Sequence, residues 1–129
     1  MAMEMLNDIK SYTPTLTEEV KVWYRAAHVT EFPENGGACL RYKEHQIAVF
    51  NFSRRNEWFA CQNLCPHKTQ MILSRGMIGS TDGEPKVACP FHKKTFSLKT
   101  GECLNAEECS IAVFPVRIED GYVHIGFAQ

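Results

Sequence analysis

Along most of this chain, hydrophobic and polar positions alternate in short runs, the period of a strand with one face turned to a core. Residues 38–42, 46–52, 58–62, 86–89, 95–98, 111–114, 116–119 and 122–127 carry the pattern and are rich in β-branched and aromatic side chains. Turn chemistry separates them at Lys43-Glu44-His45, residues 53–57, Asp82-Gly83, Thr100-Gly101 and Asp120-Gly121. Asp120-Gly121 stands between Val116-Arg117-Ile118 and Tyr122-Val123-His124-Ile125, a two-residue hairpin signal, because Asp and Gly tolerate the left-handed turn that such hairpins need. Many short strands at regular spacing predict an all-β sandwich or barrel. Residues 1–20 depart from the pattern: Leu6 and Ile9 suggest one helical turn and residues 15–18 a capping box, with Pro14 interrupting. The chain therefore divides into an N-terminal extension, 1–20, and one domain, 21–129.

Composition agrees with one small domain. The chain has 129 residues, 44% hydrophobic and 22% charged. Its start, Met1-Ala2-Met3-Glu4-Met5, has neither a basic region nor a long apolar run, so we expect a cytoplasmic protein with no membrane contact. The net charge of -1 is unevenly spread. Residues 64–100 carry six basic side chains (Lys68, Arg75, Lys86, Lys93, Lys94, Lys99) against Asp82 and Glu84, whereas the remainder carries eight basic and thirteen acidic. A basic segment in an otherwise acidic chain suits docking on an acidic protein patch. Nucleic acid is a poor partner for a sequence pI near 6.5.

Within the basic segment lie two boxes, Cys65-Pro66-His67 and, after twenty-one intervening residues, Cys89-Pro90-Phe91-His92. Each offers one thiolate and one imidazole. A binuclear iron-sulfur cluster with two Cys on one iron and two His on the other needs that pairing, because each loop reaches both irons. Two thiolates neutralise the core of two ferric ions and two bridging sulfides, whereas four would leave it doubly negative, so His ligation raises the potential from about -400 mV to between about -150 and +300 mV. The alternative on these residues is tetrahedral zinc, although zinc spacings usually group Cys with Cys and His with His. Cys65, His67, Cys89 and His92 are the candidate cofactor and metal ligands, and no residue is a candidate catalyst.

The boxes, together with Leu73-Ser74-Arg75-Gly76 and Thr95-Phe96-Ser97-Leu98-Lys99-Thr100-Gly101, resemble a Rieske domain. Over roughly residues 20–128 the chain resembles, more narrowly, the small subunit of bacterial NAD(P)H-dependent assimilatory nitrite reductase. Lys93-Lys94 marks that likeness, since typical Rieske ferredoxins place Gly after the second His. Many members of that subunit family lack the ligands, and this chain has all four. The resemblance implies a Rieske-like sandwich of short antiparallel strands with a cluster-binding subdomain of two loops, and a Rieske 2Fe-2S cluster. It also implies a large-subunit partner carrying FAD and sirohaem, and a place in the oxidoreductase that converts nitrite to ammonium, without catalysis by this chain alone. High-potential Rieske proteins clamp the two loops with a disulfide; the corresponding positions here are Gln70 and Phe91, so no clamp is expected.

Two other functions fit the residues: a free Rieske ferredoxin serving a ring-hydroxylating dioxygenase, and a metal-stabilised interaction module without redox work. Self-association of the isolated chain stays open. Cys39, Cys61, Cys103 and Cys109 are expected to be reduced, with Cys61 packed in the core, and His28, His45 and His124 to lie on the surface. No nucleotide-binding loop, flavin motif or sirohaem motif is present, so the chain does not take hydride from NAD(P)H by itself.

Overall fold

The segment 47–52 is buried at six consecutive positions, and an extended chain can satisfy that only by being covered on both faces. A computed structural model describes residues 14–66, 70–91, 94–105 and 110–128, and in it this segment is the centre of the molecule. The strands are β1 (Val22–His28), β2 (Gly36–Tyr42), β3 (His45–Phe52), β4 (Glu57–Gln62), β5 (Leu64–Cys65) and β6 (Gln70–Met71). They continue as β7 (Met77–Thr81), β8 (Glu84–Ala88), β9 (Thr95–Ser97), β10 (Val113–Phe114), β11 (Val116–Glu119) and β12 (Tyr122–Phe127). Among the described residues the only helical elements are short 3-10 turns, so the all-β expectation holds.

Among the described residues these form four antiparallel sheets, in the orders β10-β4-β3-β2, β1-β12-β11, β7-β8-β9 and β5-β6. Alternate residues of β3 face different cores. Ala48, Phe50 and Phe52 join Cys61, Leu73, Val87, Phe96, Leu98 and Ile111 in one buried cluster. Ile47 and Val49 join Tyr42, Ala60, Val123, Ile125 and Phe127 in the other. The four-stranded sheet thus lies between β1-β12-β11 on one side and the two small sheets on the other.

Asp120-Gly121 closes β11 onto β12 as expected, with φ of 53° and 79°, and Asp82-Gly83 closes β7 onto β8 with 52° and 83°. This pair of positive values is the turn whose twist matches the strands it joins. Strands β1 and β7 were not anticipated. In β1 no residue is fully buried, Ala26-Ala27 dilutes the alternation, and the register slips between Arg25 and Ala27. Exposed or half-buried throughout, β7 is an edge strand held by its pairing with β8. Residues 111–114 shorten to the two-residue β10.

The start of the described chain is tied down by Thr15 N donating to Val113 O at 2.9 Å and Lys21 N to Phe127 O at 2.8 Å. Its 3-10 turn Thr17–Glu19 is capped one residue later than expected, with Leu16 N donating to the Glu19 carboxylate at 2.8 Å. The suggested helical turn at Leu6 and Ile9 lies outside the described residues.

Phe50 is fully buried at the centre of β3. Phe50→Ala should cost about 3–5 kcal/mol through lost burial and the cavity left behind. A denaturant titration checks this; a loss below about 1 kcal/mol, the scale of an ordinary surface change, would contradict the placement of this ring.

Candidate metal centre

The cysteine of each box stands where a paired strand ends. Cys65 ends β5 and pairs with Gln70 across the first box, and Ala88 ends β8 and pairs with Thr95 across the second. Cys89 N donates to Lys94 O at 2.8 Å, closing the second loop at its base. Both thiols are buried, Cys65 at 0% and Cys89 at 1% exposure, in the same apolar cluster with Leu73, Val87 and Phe96. His67 and His92, and with them Lys68, Lys93 and Cys109, lie outside the described residues. Among the described residues no three metal-binding side chains come together, which follows when two of the four candidate donors lie outside them.

What fixes the first tip is a pair of buried amides that sequence reasoning missed. Gln62, at 0% exposure, ends β4, and Asn63, at 2%, joins it to β5. The Gln62 side chain donates to Leu64 O at 2.8 Å and accepts from Ala112 N at 2.7 Å. Asn63 O accepts from Ile72 N at 2.9 Å and Leu73 N at 3.0 Å, and its side-chain oxygen accepts from Ser74 N at 2.7 Å. Asn63 Nδ2 donates to Gln46 Oε1 at 3.0 Å, anchoring the arrangement to β3. The first box is thereby bracketed from both sides. The signal for it was the polar pair closing an otherwise hydrophobic run, since a buried amide is kept only where its hydrogen bonds are met.

The next segment joins the first loop to the second. The 3-10 turn Leu73–Arg75 is followed by Gly76, where a Cβ would collide with the Ala88 carbonyl oxygen and approach Val87 Cγ2 to 2.8 Å. Glycine therefore lets this turn lie against the residue preceding Cys89. Arg75 and Phe91 are exposed at this end, and Lys94 is half-buried.

The thiols outside the boxes differ from those inside them. Cys61 is fully buried in the core, and that burial pushes its pKa far up, so it stays protonated and packs as a small apolar group, as expected. Cys39 accepts a weak hydrogen bond from Asn63 Nδ2 at 3.5 Å, and Cys103 donates to Asn105 Oδ1 at 3.4 Å; both are free thiols. His124 is half-buried, with Nδ1 3.2 Å from Tyr122 O. The donor chemistry of Cys65 and Cys89 fits a sulfide-bridged iron pair: two soft ligands from separate loops share a dry pocket, where they can hold the iron farther from solvent.

Comparison with known proteins agrees with this geometry. Residues 22–126 match the model of the Rieske-like 2Fe-2S domain. The NADH nitrite reductase small subunit of Escherichia coli is 30% identical over 103 residues, which span 80% of this chain and 95% of that one. The nitrite reductase of Emericella nidulans is 38% identical over 98 residues, but the chain spans only 9% of its length. The solution structure of the E. coli protein NirD superposes with a TM-score of 0.74 at 29% identity, covering 84% of this chain and 98% of that one. The chain therefore belongs to the Rieske-like 2Fe-2S domain family and, within it, to the group that contains the small subunits of NADH nitrite reductase.

Proposed function

We propose that this chain is the small subunit of a cytoplasmic NAD(P)H nitrite reductase and that Cys65, His67, Cys89 and His92 hold its 2Fe-2S cluster. The observation that carries the proposal is the placement of Cys65 and Cys89 where two paired strands end, inside one buried cluster, in a chain that spans nearly all of a known small subunit. A cluster of this kind supplies one-electron transfer.

The chain's own residues do the rest. The two thiolates bind on the dry side, where Leu73, Val87 and Phe96 exclude water. Gln62 and Asn63 fix the first loop, and Gly76 fixes the approach of the second. His67 and His92 complete the set, one from each box. Arg75, Lys93 and Lys94 give this end a positive field toward a large subunit that carries FAD and sirohaem and reduces nitrite to ammonium. A free ferredoxin for a dioxygenase is the weaker reading, because the Lys93-Lys94 pair and the near-complete span of a nitrite reductase small subunit both favour the first.

Three measurements test the proposal. Anaerobically prepared protein should contain iron and acid-labile sulfide in equal amounts; stoichiometric zinc without sulfide would overturn the ligand assignment. His67→Cys or His92→Cys, where a cluster still assembles, should lower the potential toward the roughly -400 mV of all-thiolate clusters, because a thiolate adds negative charge. An intact cluster at an unchanged potential would remove that histidine from the ligand set. Lys93→Glu with Lys94→Glu should slow association with the large subunit about tenfold at low salt, fading as the Debye length falls to about 8 Å near physiological ionic strength. Equal rates at low salt, with cluster absorbance retained, would take this end out of the docking interface.

A further inference from the structure

The outer face of β1-β12-β11 carries a second cationic surface, on the opposite side of the four-stranded sheet from Cys65 and Cys89. Val123 and Ile125 of β12 point into the core and are fully buried, so Tyr122 and His124 face outward. His124 is the register partner of Arg25 on β1 and of Arg117 on β11, which sets three basic side chains in one row across the sheet. Each arginine lies over an aromatic ring: the Arg25 guanidinium carbon is 4.8 Å from the Tyr122 centroid, and that of Arg117 is 4.4 Å from Trp23. Gly126, the register partner of Trp23, carries no side chain, and the space above it is taken by Val20 and Pro115.

This row is an exception to its surroundings. Outside residues 64–100 the chain has eight basic against thirteen acidic side chains, and three of its cationic or titratable groups are aligned here. The carboxylate paired with the row is Glu119, 3.7 Å from Arg117 Nη2. At that separation, with both groups about half exposed, it neutralises little. A guanidinium seated over a ring has already lost part of its rotamer freedom, so less entropy is lost when a carboxylate engages it. The two arginines come from the strands that flank β12, so their backbones lie about 10 Å apart at the usual strand spacing of about 4.8 Å, while their head groups sit over rings on different strands. Two separate guanidinium groups on one face suit two carboxylates of one partner element.

Resting on the reading of this chain as a nitrite reductase small subunit, we propose that the Arg25–His124–Arg117 row is a second docking contact, which takes an acidic segment of the large subunit. A partner seated there holds the chain while the boxes at the far side remain available for electron exchange. Nucleic acid does not suit a chain of pI near 6.5 with three such groups and an adjoining carboxylate.

The test uses the full-length, cluster-loaded chain and the large subunit. R25Q/R117Q should bind about tenfold more weakly at low salt, mainly through slower association, with its visible spectrum and potential unchanged. E119Q, which removes the competing carboxylate, should tighten binding about two- to threefold, the scale of an exposed ion pair. Unchanged affinity in R25Q/R117Q, or weaker binding in E119Q, overturns this contact and leaves the subunit reading standing. Should R25Q/R117Q fail to fold, the sign of the E119Q effect decides. Wild-type protein that does not bind the large subunit overturns both readings, and wild-type protein that binds a single-stranded polynucleotide in its place overturns the acidic partner.

Discussion

The binding end depends on two neighbouring buried amides, Gln62 and Asn63. A hairpin of two-residue strands, such as β5-β6, has too few ladder bonds to hold a register alone, and a metal centre needs its donors held to fractions of an ångström. Gln62 and Asn63 supply the missing bonds from the chain just before the hairpin, reaching Leu64, Ile72, Leu73, Ser74 and Ala112. Because Asn63 also bonds Gln46, the anchor is β3 itself, the best buried strand of the fold. Burial makes these bonds count, since losing one partner leaves an unsatisfied amide at a cost of about 1–3 kcal/mol.

The two boxes are linked by packing instead. Gly76 lies against the Ala88 carbonyl, and Leu73 shares a cluster with Cys65 and Cys89. The positions where high-potential relatives place a disulfide are Gln70 and Phe91, both exposed and neither able to form one. Close backbone approach and a shared apolar pocket therefore hold the tips together here, an arrangement that is indifferent to the thiol redox state of its surroundings.

Much of this was legible in the sequence, and the gaps have physical causes. Strands β3, β4, β11 and β12 were readable because their alternation or unbroken hydrophobicity reports burial, and Asp120-Gly121 because two positive φ values need those residues. Strands β1 and β7 escaped because each is exposed or half-buried and takes its conformation from a neighbour's hydrogen bonds, which leave no periodic trace. The candidate donors stood out because ligand chemistry restricts residue type and spacing. Gln62 and Asn63 did not, because their role lies in partners such as Ala112, fifty positions away along the chain. The row formed by Arg25, His124 and Arg117 was hidden for the same reason: its members come from three strands, and only the register brings them into line.

The two-sided burial of β3 also governs how the molecule can come apart. A protein whose binding end and opposite sheet had separate cores could melt one and keep the other, releasing its metal from a half-folded intermediate. Here Ala48 and Phe50 belong to one core and Ile47 and Val49 to the other, so stripping either layer wets a face of the same strand. Local opening is confined to edges such as β7, while the frame beside it behaves as one cooperative unit. Because Cys65 and Cys89 lie in the core that Phe50 shares, the thiols become accessible only as that core loosens, and retention of the centre is tied to the cooperative frame itself.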